Sequence, residues 1–351
     1  MANYTAIQPK DHFNTLLYAG ASGAFVAHTG VGFQPDFTWH KSRTGTGWHG
    51  LSDSVRGVDA DPGCKAVYAN DTEVEQTSTT EYLDGYQSDG FKTGENGSYG
   101  ANANNYFAQC WKGSNATAVS NTSGTLTSSV SANTTSGFSI CKYTGATGAQ
   151  TFGHGIGLVP RFIMVKCLDS AEHWRVYHGS LGPSKYLRLN DTIAQQADSG
   201  PFSNITPTTT LVYVGGDDGT SKNGEDHIAY CFAEVQGFSK FGEYEGNGNA
   251  DGTFVYTGFQ PALVIVKNAD GANAWEMRDN KRPGYNLTTG TSYPDATSAE
   301  GTGEGIALYS NGFKCRASGA GQNGSGSTYI YAAWAKFPMV SSNNIPSTAA
   351  Y

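Results

Sequence analysis

The sequence predicts an all-β protein built as three tandem antiparallel β-sandwiches of about 100 residues each. Three observations lead there. One motif occurs three times: Gly32-Phe33-Gln34-Pro35-Asp36-Phe37-Thr38-Trp39-His40-Lys41, Gly157-Leu158-Val159-Pro160-Arg161-Phe162-Ile163-Met164-Val165-Lys166 and Gly258-Phe259-Gln260-Pro261-Ala262-Leu263-Val264-Ile265-Val266-Lys267. An aromatic-rich strand follows each copy at nearly the same distance. From Pro35 to Phe107 is 72 residues, from Pro160 to Ile228 is 68 and from Pro261 to Ile330 is 69. Lastly, no stretch keeps a 3.6-residue apolar period, while Gly is 46 of 351 residues and charged residues only 15%. That is the composition of short strands joined by many turns. Repetition at a fixed spacing marks an array of one structural unit.

The first unit spans 1–113. It opens on a segment expected to dock, 1–14, followed by strands over 15–18 and 25–29. Proline fixes φ and lacks an N–H, so it belongs at the first residue of a strand. Pro35, Pro160 and Pro261 are therefore expected at equivalent strand starts. Asp89-Gly90-Phe91 and Asn311-Gly312-Phe313 read as type I′ turns, whose two central residues take positive φ. The second unit has a plain strand there, over 211–216.

Residues 114–136 are almost all Ser, Thr, Asn and Ala. They carry little to bury and read as an extended, mobile linker with an r.m.s. span of about 25 Å. The second unit, 137–236, opens on a strand over 138–145. The third, 237–340, opens on a relative of it over 241–246. Only Gln236-Gly237-Phe238 joins these two units. They are expected to move as one rigid rod, with the first unit moving separately. The polar tail, 341–351, reads as a strap or as disordered.

Net charge is −8 at pH 7 and no basic cluster occurs, which argues against duplex nucleic acid as a partner. No apolar run reaches 18 residues, so no membrane insertion by a helix is expected. The N-terminus lacks a basic region followed by an apolar one, so no secretory signal is expected. Six cysteines, Cys64, Cys110, Cys141, Cys167, Cys231 and Cys315, are scattered without a CxxC pair. Cys110 and Cys231 occupy one repeat position, and all six are expected to be reduced and buried. The sequons at Asn70, Asn190 and Asn286 read as turn formers.

Candidate chemistry is sparse. Trp48, Trp174 and Trp275 stand seven or eight residues after the motif lysines. They are the candidate glycan contacts, because aromatic faces stack on pyranose rings. A residue kept in every unit is more often architectural, and that alternative is favoured. Asp53 and Arg56 match Asp279 and Arg282, while the second unit has His178-Gly179-Ser180-Leu181. A catalytic pair would not be present in two units and missing from one, so a structural ion pair is expected. The acidic turns 216–219 and 249–252 could hold Ca²⁺, but neither has the twelve-residue pattern with a closing Glu. No HExxH, zinc spacing, nucleophile elbow or phosphate loop occurs. No catalytic residue, metal ligand or cofactor site is assigned. Paired carboxylates for glycoside hydrolysis stay open as an alternative.

The phrases Thr29-Gly30-Val31-Gly32-Phe33-Gln34-Pro35-Asp36-Phe37, Asp53-Ser54-Val55-Arg56-Gly57, Ser88-Asp89-Gly90-Phe91, Phe107-Ala108-Gln109-Cys110-Trp111-Lys112 and 131–140 resemble a recurrent module of tailed-phage virion proteins, found in phages of marine bacteria and cyanobacteria. The resemblance covers nearly all of 15–340. It departs at His40, where the strand usually stays apolar, and in the second unit's missing Asp-Gly-Phe turn. It implies lectin-like, jelly-roll sandwiches in a non-enzymatic virion protein, either a tail fibre or a fibre or knob decorating the capsid. It implies other virion proteins as partners, self-association as a trimer, and host-surface glycans as targets. It brings no functional residues with it. The alternatives are a glycan-degrading depolymerase and a purely architectural virion component.

Overall fold

In the computed structural model, which describes residues 7–23, 25–58, 64–282, 290–303 and 305–338, each repeat lays down one large antiparallel sheet in the same order. Its opening strand pairs with its aromatic strand, the aromatic strand with the proline strand, and the proline strand with the strand after it. In the first repeat these are Phe13–Ala19, Asn105–Trp111, Phe37–Ser42 and Gly50–Asp53, extended by Cys64–Tyr68 and Gln76–Ser78. In the second they are Phe138–Thr144, Asp226–Ala233, Pro160–Cys167 and Arg175–His178. In the third they are Ser239–Glu245, Thr328–Pro338, Phe259–Asn268 and Glu276–Asp279. Helix among the described residues is limited to the single turns Pro9–Asp11 and Asp218–Ser221. The chain is nearly all β, as its composition predicts.

A smaller sheet packs on one face of each large one. It consists of Val26–Thr29, Gly90–Thr93 and Leu83–Gln87 in the first repeat, and Ala149–Gly153 and Leu211–Gly215 in the second. In the third it is Phe254–Tyr256, Gly312–Cys315 and Ile306–Tyr309. Each such pair of sheets encloses its own apolar cluster, for example Val255, Ile306, Leu308 and Phe313 against Val264, Val266 and Ala333.

The opposite faces of the three large sheets all enter one shared core. Phe37, Trp39, Phe162, Met164, Leu263 and Ile265 belong to a single buried cluster. At its centre lie Trp111, Phe232 and Trp334, one from the same position of each aromatic strand. Their ring centroids are 5.8, 5.4 and 5.2 Å apart, crossing at 60°, 72° and 74°. The repeats therefore close around an approximate three-fold axis. This explains why the proline strands of the second and third repeats carry apolar runs that do not alternate: both of their faces are buried.

Several expectations need correction. The stretch 114–136 is not a mobile linker. Val119–Asn121 and Ser128–Asn133 form a hairpin that adds two strands to the second repeat's large sheet, with Ser128 opposite Tyr143 and Asn133 opposite Phe138. Backbone pairing holds a Ser/Thr-rich segment that has few apolar side chains to bury. Asp36 Oδ2 also accepts from Gly113 N at 2.7 Å, tying the entry of this segment to the first repeat. The first repeat is thus no separate head, because it shares the central core. Phe238, at the short junction, is buried in that core, with its ring 6.0 Å from His12.

The prolines are only partly at strand starts. Pro160 opens its strand, Pro35 stands two residues before Phe37, and Pro261 is the third residue of Phe259–Asn268. Pro160 and Pro261 lie opposite Ala233 and Ala335, each beside a register shift, which is where a sheet tolerates a missing N–H. The hairpin loops are Ser88-Asp89 and Ser310-Asn311, so Gly90 and Gly312 begin strands rather than complete type I′ turns. Glycine is required there because a Cβ would strike the carbonyl of His28 or Val255 on the neighbouring strand. The tail 341–351, residues 1–6 and Asn286 lie outside the described residues; Ile7, next to them, is buried in the shared core.

Candidate functional site at the seams between repeats

The position eight residues after each motif lysine is His49, Trp174 and Trp275. All three use the same cap. His49 N donates to Asn70 Oδ1 at 2.7 Å, Trp174 N to Asn190 Oδ1 at 3.1 Å and Trp275 N to Asp295 Oδ1 at 2.9 Å. Each ring then reaches across a seam. Trp174 Nε1 donates to Tyr68 O in the first repeat at 2.8 Å, and Trp275 Nε1 donates to Arg188 O in the second at 2.8 Å. The His49 ring closes the circle onto the third repeat, with Nε2 3.5 Å from Ser292 Oγ and Nδ1 accepting from Trp39 Nε1 at 2.9 Å.

Trp174 and Trp275 are fully buried, so no sugar can stack on them. Trp48 is one residue out of register with the other two. It is 37% exposed while the other five tryptophans are at most 2% exposed. Its ring stands edge-on to Tyr68 at 4.4 Å. The exact offset of eight from the lysine is the signal that identifies His49, and matching by residue type alone conceals it.

The Asp/Arg pairs also lie at seams. Arg56 Nε meets Asp53 Oδ2 at 2.5 Å and Arg282 Nε meets Asp279 Oδ2 at 2.6 Å, all four side chains wholly buried. Tyr230 of the second repeat donates its hydroxyl to Asp53 Oδ2 at 2.7 Å. Gln109 of the first donates to Asp279 Oδ2 at 3.0 Å, and the Arg282 guanidinium lies 4.3 Å over the Phe107 ring. In the second repeat His178 takes the aspartate's place, its Nε2 3.2 Å from Tyr331 O in the third. His178 Nδ1 accepts from Ser180 N at 3.2 Å, so the ring is the neutral Nε2–H tautomer. Burial lowers its pKa to about 4, and burial holds His49 well below the usual imidazole range.

The motif lysines are buried too. Lys41, Lys166 and Lys267 donate to the carbonyl of the next residue at 2.9, 2.6 and 2.6 Å. Burial pulls all three down to about 8. They pin the loops that carry His49, Trp174 and Trp275. Lys267 reaches Gly271 O at 3.0 Å, and Lys41 crosses the seam to Thr297 O at 3.4 Å.

The acidic turns are engaged by cations of the protein. Asp217 Oδ2 is 2.9 Å from Arg175 Nη2, and its Oδ1 accepts from Gly219 N at 2.8 Å. Asp251 meets Lys314 at 2.5 Å. Among the described residues no group of three or more His, Cys, Asp or Glu is placed to hold a metal ion. All six cysteines are buried.

No curated protein matches the chain, and no solved structure does. A family profile described as "Domain of unknown function (DUF7483)" matches residues 8–338, which takes in all three repeats and the hairpin between the first two. The chain belongs to that family.

Proposed function

We propose that the chain is a non-enzymatic structural protein of a phage virion, a tail fibre or a fibre or knob decorating the capsid. In this reading it presents three jelly-roll, lectin-like β-sandwich modules for attachment to a host surface. The supporting observation is the use the chain makes of its polar and aromatic side chains. Asp53, Arg56, His178, Asp279, Arg282, Trp174 and Trp275, the residues with most chemical potential in the sequence, all join one repeat to the next. A ring closed in this way is a stiff building block whose small sheets face away from the shared core.

The proposed partners are other virion proteins of capsid or tail, further copies of the chain as a trimer, and host-surface glycans. Many weak contacts presented together raise avidity without any one being tight. The proposed location is the virion, assembled in a bacterial cytoplasm. Immunogold labelling of purified particles tests this: gold on the tail or capsid surface is expected, and unlabelled particles would overturn it. Incubation with host polysaccharide should release no reducing ends. Release would favour the depolymerase alternative.

A further inference from the structure

The third repeat carries a patch on the outer face of its small sheet that the other two lack. Phe254 and Tyr256 point outward on either side of buried Val255, and Tyr309 stands two strands away. They are 45%, 51% and 39% exposed. Tyr256 and Tyr309 both pair with Gly312, so one row across the sheet reads aromatic, glycine, aromatic. A Cβ at Gly312 would meet the tip of the Phe254 ring at 3.0 Å, so that ring covers the glycine. Its centroid is 6.2 Å from that of Tyr309. Lys240 Nζ lies 5.4 Å over the Tyr256 ring. Lys314, opposite Phe254, is bound to Asp251, whose side chain is 76% exposed.

Register identifies the counterparts. Ala27 and Thr29 stand there in the first repeat, Thr151 and Gly153 in the second. The first repeat builds the same three-stranded sheet with Gln87 in the place of Tyr309, and the second builds a two-stranded version, both without these rings, so folding of the sheet does not require them.

We propose that Phe254, Tyr256 and Tyr309 form a glycan-binding platform. Pyranose rings stack on the three aromatic faces, and Asp251, Lys314 and Lys240 bond the hydroxyls around the sugar rim. The C–H face of a pyranose is slightly positive and complements the negative face of an aromatic ring. A stable protein partner needs about 20–30 residues a side, far more than three rings with a charged rim. Rings carried on strands lose little freedom when a ligand arrives. The proposal deepens the attachment reading by naming its ligand class and site.

The test is native electrophoresis of the full chain through gels containing dextran, laminarin or alginate. The parent is compared with the triple variant F254A/Y256A/Y309A and with a chain ending at Pro338. Matched thermal melting of the triple variant controls for folding. The parent should be retarded in at least one gel, and the triple variant should lose at least tenfold in affinity. Retardation by the glucans or by alginate tells a neutral sugar from a uronate. No retardation of the parent in any gel, or equal retardation of the triple variant, would overturn the proposal. Retardation only after residues 339–351 are removed would make that tail the occupant and overturn it as well. Unlabelled virions would leave the glycan result standing, and failed glycan binding would leave the virion location standing.

Discussion

The indole of Trp334 meets the indole of Trp111 at 5.4 Å and 72°, although the two residues close different repeats. Phe232 completes the cluster on the approximate three-fold axis. Trp334→Ala should cost about 3–5 kcal/mol, the usual range for truncating a buried aromatic. Trp111 and Trp334 are in ring contact, so the double truncation should depart from additivity by more than about 0.5 kcal/mol. Urea unfolding followed by circular dichroism measures both. Strict additivity would show that the rings do not act as one cluster.

Arg282→Met leaves Asp279 charged, buried and short of its cation. Breaking a buried pair from one side costs about 3–5 kcal/mol. Adding Asp279→Asn removes the stranded charge and keeps one oxygen to accept from the backbone N–H groups of Lys281 and Arg282. The double variant should therefore be more stable than Arg282→Met alone. The urea midpoints rank the two, and the reverse order would refute this account of the seam.

Acid should weaken the ring. The folded-state pKa of His178, about 4, lies below its unfolded value near 6.5. Between those values the unfolded chain binds more protons, so stability present above pH 6.5 is lost as pH falls toward 4. For this one wholly buried group the loss reaches about 3 kcal/mol. His49 and His40 act in the same direction, as do His28 and His154. Asp295, raised by burial to about 6, opposes them below that pH, as does Asp36, but the histidines are more numerous. Calorimetry should find Tm falling between pH 7 and 4.5, and falling less in His178→Asn. A Tm that rises on acidification would contradict the assignment.

Residues 128–133 should resist a broad protease, because the whole strand pairs with residues 138–143 and residues 128–130 pair on their other edge as well. A chain comprising only residues 114–338 should not fold natively. It would expose Trp174, Tyr230 and Phe232, which bury themselves with help from the first repeat. Heteronuclear NMR of that fragment should lack dispersed signals. A well-dispersed spectrum would mean that the seams are dispensable.

The thiols should be inert until the protein unfolds. Burial pushes the Cys167 and Cys315 thiols up to about 11 and Cys231 well above its usual value, so almost no thiolate is present at pH 8. Titration with an aromatic disulfide should count no fast thiols in native protein and six in denaturant. A fast native thiol would place at least one cysteine at the surface.

Local chemistry was enough to predict the strand-rich class and the ion pairs of Asp53 with Arg56 and of Asp279 with Arg282. Strand patterns, prolines and glycines act over a few neighbouring residues and so can be read from order alone. The sequence also held one underused signal of the shared core. Leu263-Val264-Ile265-Val266 does not alternate, and a strand with one wet face would. Only the tertiary structure decided that the repeats close into a ring, because closure depends on which apolar faces find each other across some hundred residues of chain. The same cause moved Trp174 and Trp275 from candidate sugar contacts to seam anchors and singled out His49 instead of Trp48. It also turned 114–136 from tether to hairpin, since a polar segment can be ordered by backbone pairing that its side chains do not announce. The rings of Phe254, Tyr256 and Tyr309 gained meaning only once strand register set them beside the small residues that occupy the same places in the other repeats.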